Sequence, residues 1–149
     1  MRLQSQEGWI EIEFSCYAQD SIDYLTGLFD VQNAVEIGFD YELADIGWGS
    51  VGYEYFIARD IKAIAKGFAE ILLSEISHFS FSGSFPYDSL TPNPFYCIEI
   101  NKREAEIEFY FKIHDRLIDY ISITETMNIE RFSEIAKEMS DASIKFPER

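Results

Sequence analysis

The sequence has few cysteines and no long apolar run. With only Cys16 and Cys97 among 149 residues, a disulfide framework is not indicated, and a reducing cytoplasm is the expected compartment. No apolar run approaches the roughly 20 residues that a membrane-spanning helix needs. Residues 1–8 are polar, so no secretory signal is expected there either. These absences disfavour the secreted disulfide-rich class and the membrane-spanning class.

Basic side chains are scarce, and their distribution is uneven. The chain has 12 Lys and Arg against 27 Asp and Glu, which gives a net charge of −15. Residues 1–58 contain a single basic residue, Arg2, and carry a net charge of −10; the remaining 91 residues carry −5. Because this charge repels a phosphate backbone, the sequence predicts no nucleic-acid partner. Clustered charge costs stability through self-repulsion, so the clustering suggests a use. The alternative is a solvated acidic face that has no partner.

The apolar content is that of a folded domain. Hydrophobic residues make up 47% of the chain and aromatic residues 16%, which is too much for a disordered segment. A chain of 149 residues is long enough to bury a core without disulfides or metals. We therefore predict one domain over residues 1–149.

Hydrophobic periodicity divides the chain into strands and two helices. Residues alternate between apolar and polar with period two in six or seven segments, the clearest of which is 105–113. Apolar residues recur at spacings of three and four over 61–76 and 129–139, which is typical of amphipathic helices. Asp60 and Asn128 are the predicted N-caps of these two helices.

This order of elements predicts the fold class. The links between strands are short, which favours antiparallel pairing, and the helices need an apolar sheet face on which to bury their stripes. We predict an α+β fold with a mainly antiparallel six- to seven-stranded sheet. The order is β-β-β-α-β-β-β-α, and both helices pack on one face.

The alternate residues of the predicted strands then form an open, acidic sheet face. Like charges directly opposite each other destabilise a sheet, so a cationic partner would relieve their repulsion. Exposed aromatic residues supply anchors at interfaces, and Trp9, Tyr17, Trp48 and Tyr110 are the candidates near this face. The predicted partner-binding residues are Glu11, Glu13, Glu36, Asp40, Glu42, Asp45, Trp48 and Glu54.

Motifs for catalysis, cofactors and metals give no convincing match. The segment GWGSVG at 47–52 matches G-x-G-x-x-G, but it precedes a predicted strand instead of a helix, so a nucleotide site is not expected. His78 and His114 have no neighbouring nucleophile in the sequence, and the two His and two Cys lack the spacing of a zinc site. We predict no enzyme activity, no catalytic or metal-ligating residue and no cofactor.

The layout of the chain resembles the WapI family of bacterial immunity proteins. The resemblance covers roughly residues 8–139 and rests on the segments RDIKAIAKGFAEIL, HFSFSGSF, AEIEFYFKI and NIERFSEIAKEM. It implies a small cytoplasmic bacterial protein that binds and blocks a cognate toxin domain, often a nuclease. No site residue is carried over from the family.

The leading hypothesis from the sequence is therefore a non-enzymatic acidic binding protein. We expect an immunity protein that covers the basic surface of a toxin domain, with no nucleic acid and no membrane as partner. Two alternatives stay open: a small-molecule or metal-ion binding module on the open sheet face, or a DNA-mimic inhibitor. The oligomeric state is not predicted.

Overall fold

The computed structural model describes residues 1–17, 33–83, 94–115 and 119–149, and residues 51–54 by their backbone alone. The predicted packed segment at 20–32 and most of the predicted loop at 86–94 lie outside these ranges. Within them, eight strands and two helices follow each other along the chain in the order β-β-β-β-α-β-β-β-β-α. The elements are β1 (Arg2–Ser5), β2 (Gly8–Tyr17), β3 (Ala34–Leu43), β4 (Gly47–Ile57), α1 (Ala58–Leu72), β5 (His78–Gly83), β6 (Tyr96–Arg103), β7 (Glu106–Asp115), β8 (Asp119–Asn128) and α2 (Ile129–Lys145).

Within the described residues, the strands form two antiparallel sheets of four strands each. Sheet A has the order β1-β2-β3-β4, and sheet B has the order β5-β6-β7-β8. The α+β class and the antiparallel pairing are confirmed, but the predicted single sheet of six to seven strands is replaced by these two sheets. Alternation shows that a segment is a strand, but it does not show which strands share a sheet. The chain leaves sheet A at β4 and passes through α1 before it begins sheet B.

The inward residues of both sheets and of both helices form one continuous core. In β2, Ile10 and Ile12 are buried while Glu11 and Glu13 are exposed, as the alternation predicts. The pattern in β7 is equally regular, with Ile107, Phe109, Phe111 and Ile113 fully buried. These residues belong to a single cluster of buried side chains that spans sheets A and B.

Helix α1 buries its predicted stripe, although it begins earlier than expected. Ile61, Ile64 and Phe68 are completely buried. The N-cap is Ile57, which makes no side-chain capping bond, so the prediction of Asp60 as the cap is wrong. Asp60 lies in the first turn instead and accepts a hydrogen bond from the Tyr96 hydroxyl at 3.3 Å.

Phe68 of α1 connects several elements at the centre of the core. Its ring centroid lies 6.0 Å from that of Phe79 in β5, 5.5 Å from that of Phe109 in β7 and 5.4 Å from that of Phe132 in α2. The apolar side of α1 therefore rests on sheet B and on the second helix at the same point.

Helix α2 begins at its predicted cap. The Asn128 side chain accepts a hydrogen bond from the backbone nitrogen of Arg131 at 2.8 Å, which satisfies one of the unpaired amides at the helix start. Phe132, Ile135 and Met139 are completely buried. Neither helix in the described ranges has the length and apolarity needed to span a bilayer.

Two buried contacts join the sheets to each other. Phe56 in β4 stacks on Tyr96 in β6, with 4.0 Å between ring centroids and 10° between the ring planes. The Tyr41 hydroxyl in β3 donates to Asp115 at the end of β7, at 3.1 Å. Asp115 is 2% exposed, and a buried carboxylate needs such a partner because an unpaired one is costly.

The outer edge of β1 is covered by side chains from the second half of the chain. The backbone nitrogen of Gln4 donates to the Glu125 carboxylate at 2.7 Å, and the Arg131 guanidinium donates to the backbone oxygen of Arg2. Arg131 and Glu125 also pair with each other at 3.3 Å. Sheet A therefore meets sheet B at this edge through side chains, and no β-ladder joins the two sheets among the strands that the structure describes.

The buried tyrosines make stability sensitive to alkaline pH. Burial, and then the nearby Asp60 carboxylate, raise the pKa of Tyr96 well above its ordinary value of 10.0. Burial and the bond to Asp115 likewise raise the pKa of Tyr41. The folded chain thus holds these protons more tightly than the unfolded chain, so unfolding releases protons and becomes easier as the pH rises above about 10.

We therefore expect the free energy of unfolding to fall as the pH rises above about 10, and to fall less steeply in Tyr96→Phe. Urea unfolding measured at a series of pH values checks this. Near neutral pH the variant should differ from the wild-type protein by a constant amount. Identical slopes of the two proteins in alkali would show that Tyr96 does not carry the effect.

Candidate functional site

The outer face of sheet A, which points away from the core, brings together most of the predicted partner-binding residues. The strand positions that point outward are occupied by exposed residues in β2, β3 and the start of β4. These exposed residues are Glu11, Glu13, Asp40, Glu42 and Trp48. Four of the predicted acids, with Trp48, therefore lie on one surface.

Three other predicted partner-binding residues are not among these exposed strand residues. Glu36 is only half-exposed, and it stands opposite the buried Tyr55. Asp45 is exposed but belongs to the turn between β3 and β4. The backbone of Glu54 pairs with Ile37, a buried position, because the register of β3 and β4 shifts near Gly38. The side chain of Glu54 is outside what the structure describes.

Two tryptophans flank a glutamate at the end of this face, in what we name the tryptophan row: Trp9, Glu42 and Trp48. Glu42 of β3 stands opposite Trp9 of β2 on one side and opposite Trp48 of β4 on the other. Residues opposite each other in an antiparallel pair point to the same face, with Cβ atoms about 5 Å apart. The Trp9 Nε1 atom donates to Glu42 Oε2 at 3.3 Å, and Trp48 is 71% exposed.

The next row of the face contains the one basic residue of sheet A. In this row Arg2 stands opposite Glu11, and Glu11 stands opposite Asp40. Arg2 Nη1 lies 3.6 Å from Glu11 Oε2, and its guanidinium carbon lies 4.3 Å from the centroid of the Trp9 ring. The Ser50 hydroxyl donates to Asp40. Arg2 thus compensates the charge of Glu11, which has the acid Asp40 on its other side.

Sequence reasoning missed Arg2 because it missed β1. This strand has only four residues and a single buried apolar side chain, Leu3, so it shows no periodicity. The prediction that Trp9, Tyr17 and Tyr110 lie near the same face as Trp48 is only partly correct. Trp9 lies on this face, but Tyr17 is buried against Phe146. Tyr110 stands in β7 and therefore belongs to sheet B.

A cavity of about 380 Å³ opens beside the tryptophan row. It lies between the β1–β2 turn and the β3–β4 turn, and its walls include Gln6, Glu7, Trp9, Glu42 and Leu43. The two turns are held together by a hydrogen bond of 2.8 Å from the backbone nitrogen of Ala44 to the oxygen of Glu7. This depression is open to solvent, and two carboxylates and an indole line it.

Gly8 allows this close approach of the turns. Its φ angle is +139°, and a Cβ atom at this position would lie 1.8 Å from the backbone oxygen of Glu42. Only glycine adopts such a conformation without strain. The Glu42 backbone, and with it the tryptophan row, can therefore occupy its position only because residue 8 has no side chain.

The arrangement supports binding more readily than catalysis or metal coordination. Across residues 1–17, 33–83, 94–115 and 119–149, no three His, Cys, Asp or Glu side chains converge to hold a metal ion. The G-x-G-x-x-G segment begins at Gly47, the first residue of β4, so it does not open a helix. What the face offers is negative charge beside indole rings, a combination that attracts organic cations.

Comparisons with known proteins give no family. Neither a family model nor a curated protein matches the chain. Among solved structures, similar chains include WHY1 from Arabidopsis thaliana, with 9% identity over 98% of this chain and 88% of that chain and a TM-score of 0.48. The plant transcriptional regulator PBF-2 is 8% identical over 98% of this chain and 80% of that chain, with a TM-score of 0.44. WHY3 from Arabidopsis thaliana is 9% identical over 98% and 86%, with a TM-score of 0.44.

These comparisons correct the function predicted from the sequence. The structures found are plant proteins, one of them described as a transcriptional regulator, and not immunity proteins. The interpretation as an immunity protein that covers a basic toxin surface is therefore wrong, and so is the exclusion of nucleic acid as a partner. Since all three TM-scores lie below 0.5, no function is transferred from those structures to this chain.

Proposed function

We propose that this protein binds a linear organic polycation of the polyamine class on the outer face of sheet A. The observation that carries the proposal is the tryptophan row, in which Glu42 lies between two indoles and one indole, Trp48, is 71% exposed. An ammonium group over an indole and beside a carboxylate gains from both. The proposed role is binding without catalysis, and the free Cys16 and Cys97 fit a reducing cytoplasm.

Energetics favour a ligand with several charges over a single cation. A cation over an exposed indole is worth about 0.5–1 kcal/mol, and an exposed ion pair is worth about 0.2–1 kcal/mol. Their sum is below the 4.1 kcal/mol that corresponds to a Kd of about 1 mM. A ligand with linked ammonium groups adds such contacts within one molecule. Glu42 and Asp40 are two residues apart on β3, roughly 7 Å, which is near the separation of ammonium groups joined by a butylene chain.

We expect spermidine to bind at low ionic strength, and Trp48→Ala to weaken this binding about two- to fivefold through the lost cation–π contact. Glu42→Gln should weaken it by up to about fivefold. Isothermal titration calorimetry measures both effects. Both tryptophans of the chain belong to the tryptophan row, so spermidine should also change the intrinsic fluorescence in a saturable way.

Glu99→Gln is the matched control, because Glu99 is an exposed strand residue in sheet B and its loss changes the net charge by the same amount. If Glu99→Gln weakens binding as much as Glu42→Gln, and Trp48→Ala has no effect, the face of sheet A is not the site. A single-stranded oligonucleotide is titrated in parallel. Binding of that strand more tightly than spermidine would overturn the proposal in favour of nucleic acid.

A further inference from the structure

The guanidinium of Arg2 already makes the contacts that the proposed ligand would make. It lies 4.3 Å from the centroid of the Trp9 ring and 3.6 Å from the Glu11 carboxylate. A ligand ammonium group at Trp48 would meet the same two kinds of partner, an indole and a carboxylate, although Trp48 and Glu42 come from neighbouring strands whereas Trp9 and Glu11 share β2. Arg2 therefore occupies one of two comparable cation positions on this face, and its backbone tethers it there.

No other basic residue belongs to the four strands of sheet A. The Arg2 side chain is 45% exposed, so its contacts with Trp9 and Glu11 are made in water and are individually weak. They persist because the tether keeps the local concentration of the guanidinium high. A soluble ligand that needs the Trp9 position has to compete with this residue.

We infer that Arg2 is a specificity-determining residue, which limits the number of ammonium groups that the face of sheet A accepts. The inference rests on the proposed function. With Arg2 in place, the cation partners nearest the exposed indole are Trp48, Glu42 and Asp40, which is enough for two ammonium groups, while Glu13 lies farther along β2. Without Arg2, Trp9 and Glu11 supply a third position. A triamine should therefore gain more from removal of Arg2 than a diamine.

The test compares Arg2→Gln with Lys66→Gln by calorimetric titration of spermidine and putrescine. Lys66 is 77% exposed on α1 and pairs with Glu70 at 3.6 Å, so its replacement changes the net charge equally but leaves the face intact. Arg2→Gln should bind spermidine about three- to tenfold more tightly than the wild-type protein. The gain for putrescine should be smaller, and Lys66→Gln should change either affinity less than about twofold, because its effect is long-range and screened.

The outcomes separate this inference from the proposed function. If the wild-type protein does not bind spermidine, the proposed function is wrong. If it does, and Arg2→Gln behaves like Lys66→Gln, the inference about Arg2 is wrong and the binding face stands. Urea unfolding confirms that each variant is folded. Should Arg2→Gln not fold, Arg2→Lys replaces it: lysine keeps the charge but loses the planar stacking on Trp9, so spermidine should bind with a smaller gain, and no gain would contradict the inference.

Discussion

Replacing Phe68 with alanine should lower the free energy of unfolding by about 3–5 kcal/mol. The side chain is completely buried, and its ring contacts three others, one each in β5, β7 and α2. The loss of stability has two sources. The free energy gained by burying the ring away from water is lost, and the surrounding side chains from three different elements cannot all move in to fill the cavity. The aromatic contacts add to this because edge-to-face pairs are worth more than their buried area alone.

Urea unfolding followed by circular dichroism measures this loss. Leu73→Ala is the matched control: Leu73 follows the same helix, but it is 70% exposed, so its replacement should change stability by less than about 0.5 kcal/mol. An unchanged m-value would show that the two variants unfold over the same surface as the wild-type protein. A loss of less than about 1 kcal/mol in Phe68→Ala would contradict the described packing of α1.

Replacing Gly8 with alanine should cost about 2–6 kcal/mol and should also weaken the binding of spermidine. The backbone at this residue has a φ angle of +139°, where an alanine is strained by about 1–3 kcal/mol. The new Cβ atom would also lie 1.8 Å from the Glu42 oxygen, and relief of such an overlap costs roughly 1–3 kcal/mol more. Because the obstacle is backbone, β2 and β3 must separate, and that movement displaces Glu42.

Gly38→Ala is the control for this substitution. Gly38 belongs to β3 on the same sheet, and a Cβ atom there would meet nothing within 4 Å. Its replacement should leave stability within about 0.5 kcal/mol of the wild-type protein or raise it slightly, because alanine restricts the unfolded chain. Equal stability of the two variants would mean that the turn next to Glu42 can relax freely, in contradiction of the close approach described above.

The sequence predicts the individual elements of this fold well and their assembly less well. Period-two alternation identifies β2 and β7 because one face of each strand is buried and the other is exposed to solvent. Asn128 is recognisable as a cap because capping is a local interaction. The division into two sheets depends on long-range contacts. The Phe56–Tyr96 stack, for example, joins residues 40 positions apart, and hydrophobic periodicity does not indicate such contacts.

The residues of the candidate site were also predicted well where local sequence decides their position and poorly where long-range pairing decides it. Four of the acids in residues 1–58, namely Glu11, Glu13, Asp40 and Glu42, lie on one surface, since β2, β3 and β4 follow each other along the chain and also pair with each other. Trp48 belongs to this surface as predicted. Arg2 was not placed there, because only the pairing of β1 with β2 brings it beside Glu11. The side chain of Glu54 is outside the described residues, so its place on this face stays a prediction.

The contacts that Glu125 and Arg131 make with the edge of β1 have a consequence for how copies of the chain behave in solution. An exposed edge strand is a template on which a second molecule can add its own strand, which is a route to aggregation. Here the backbone nitrogen of Gln4 and the backbone oxygen of Arg2 are already bonded to side chains. A strand from a second molecule would have to displace a carboxylate and a guanidinium before it could extend sheet A from this side. The protein can therefore present a wide, open sheet face to a ligand without offering that edge to its own copies.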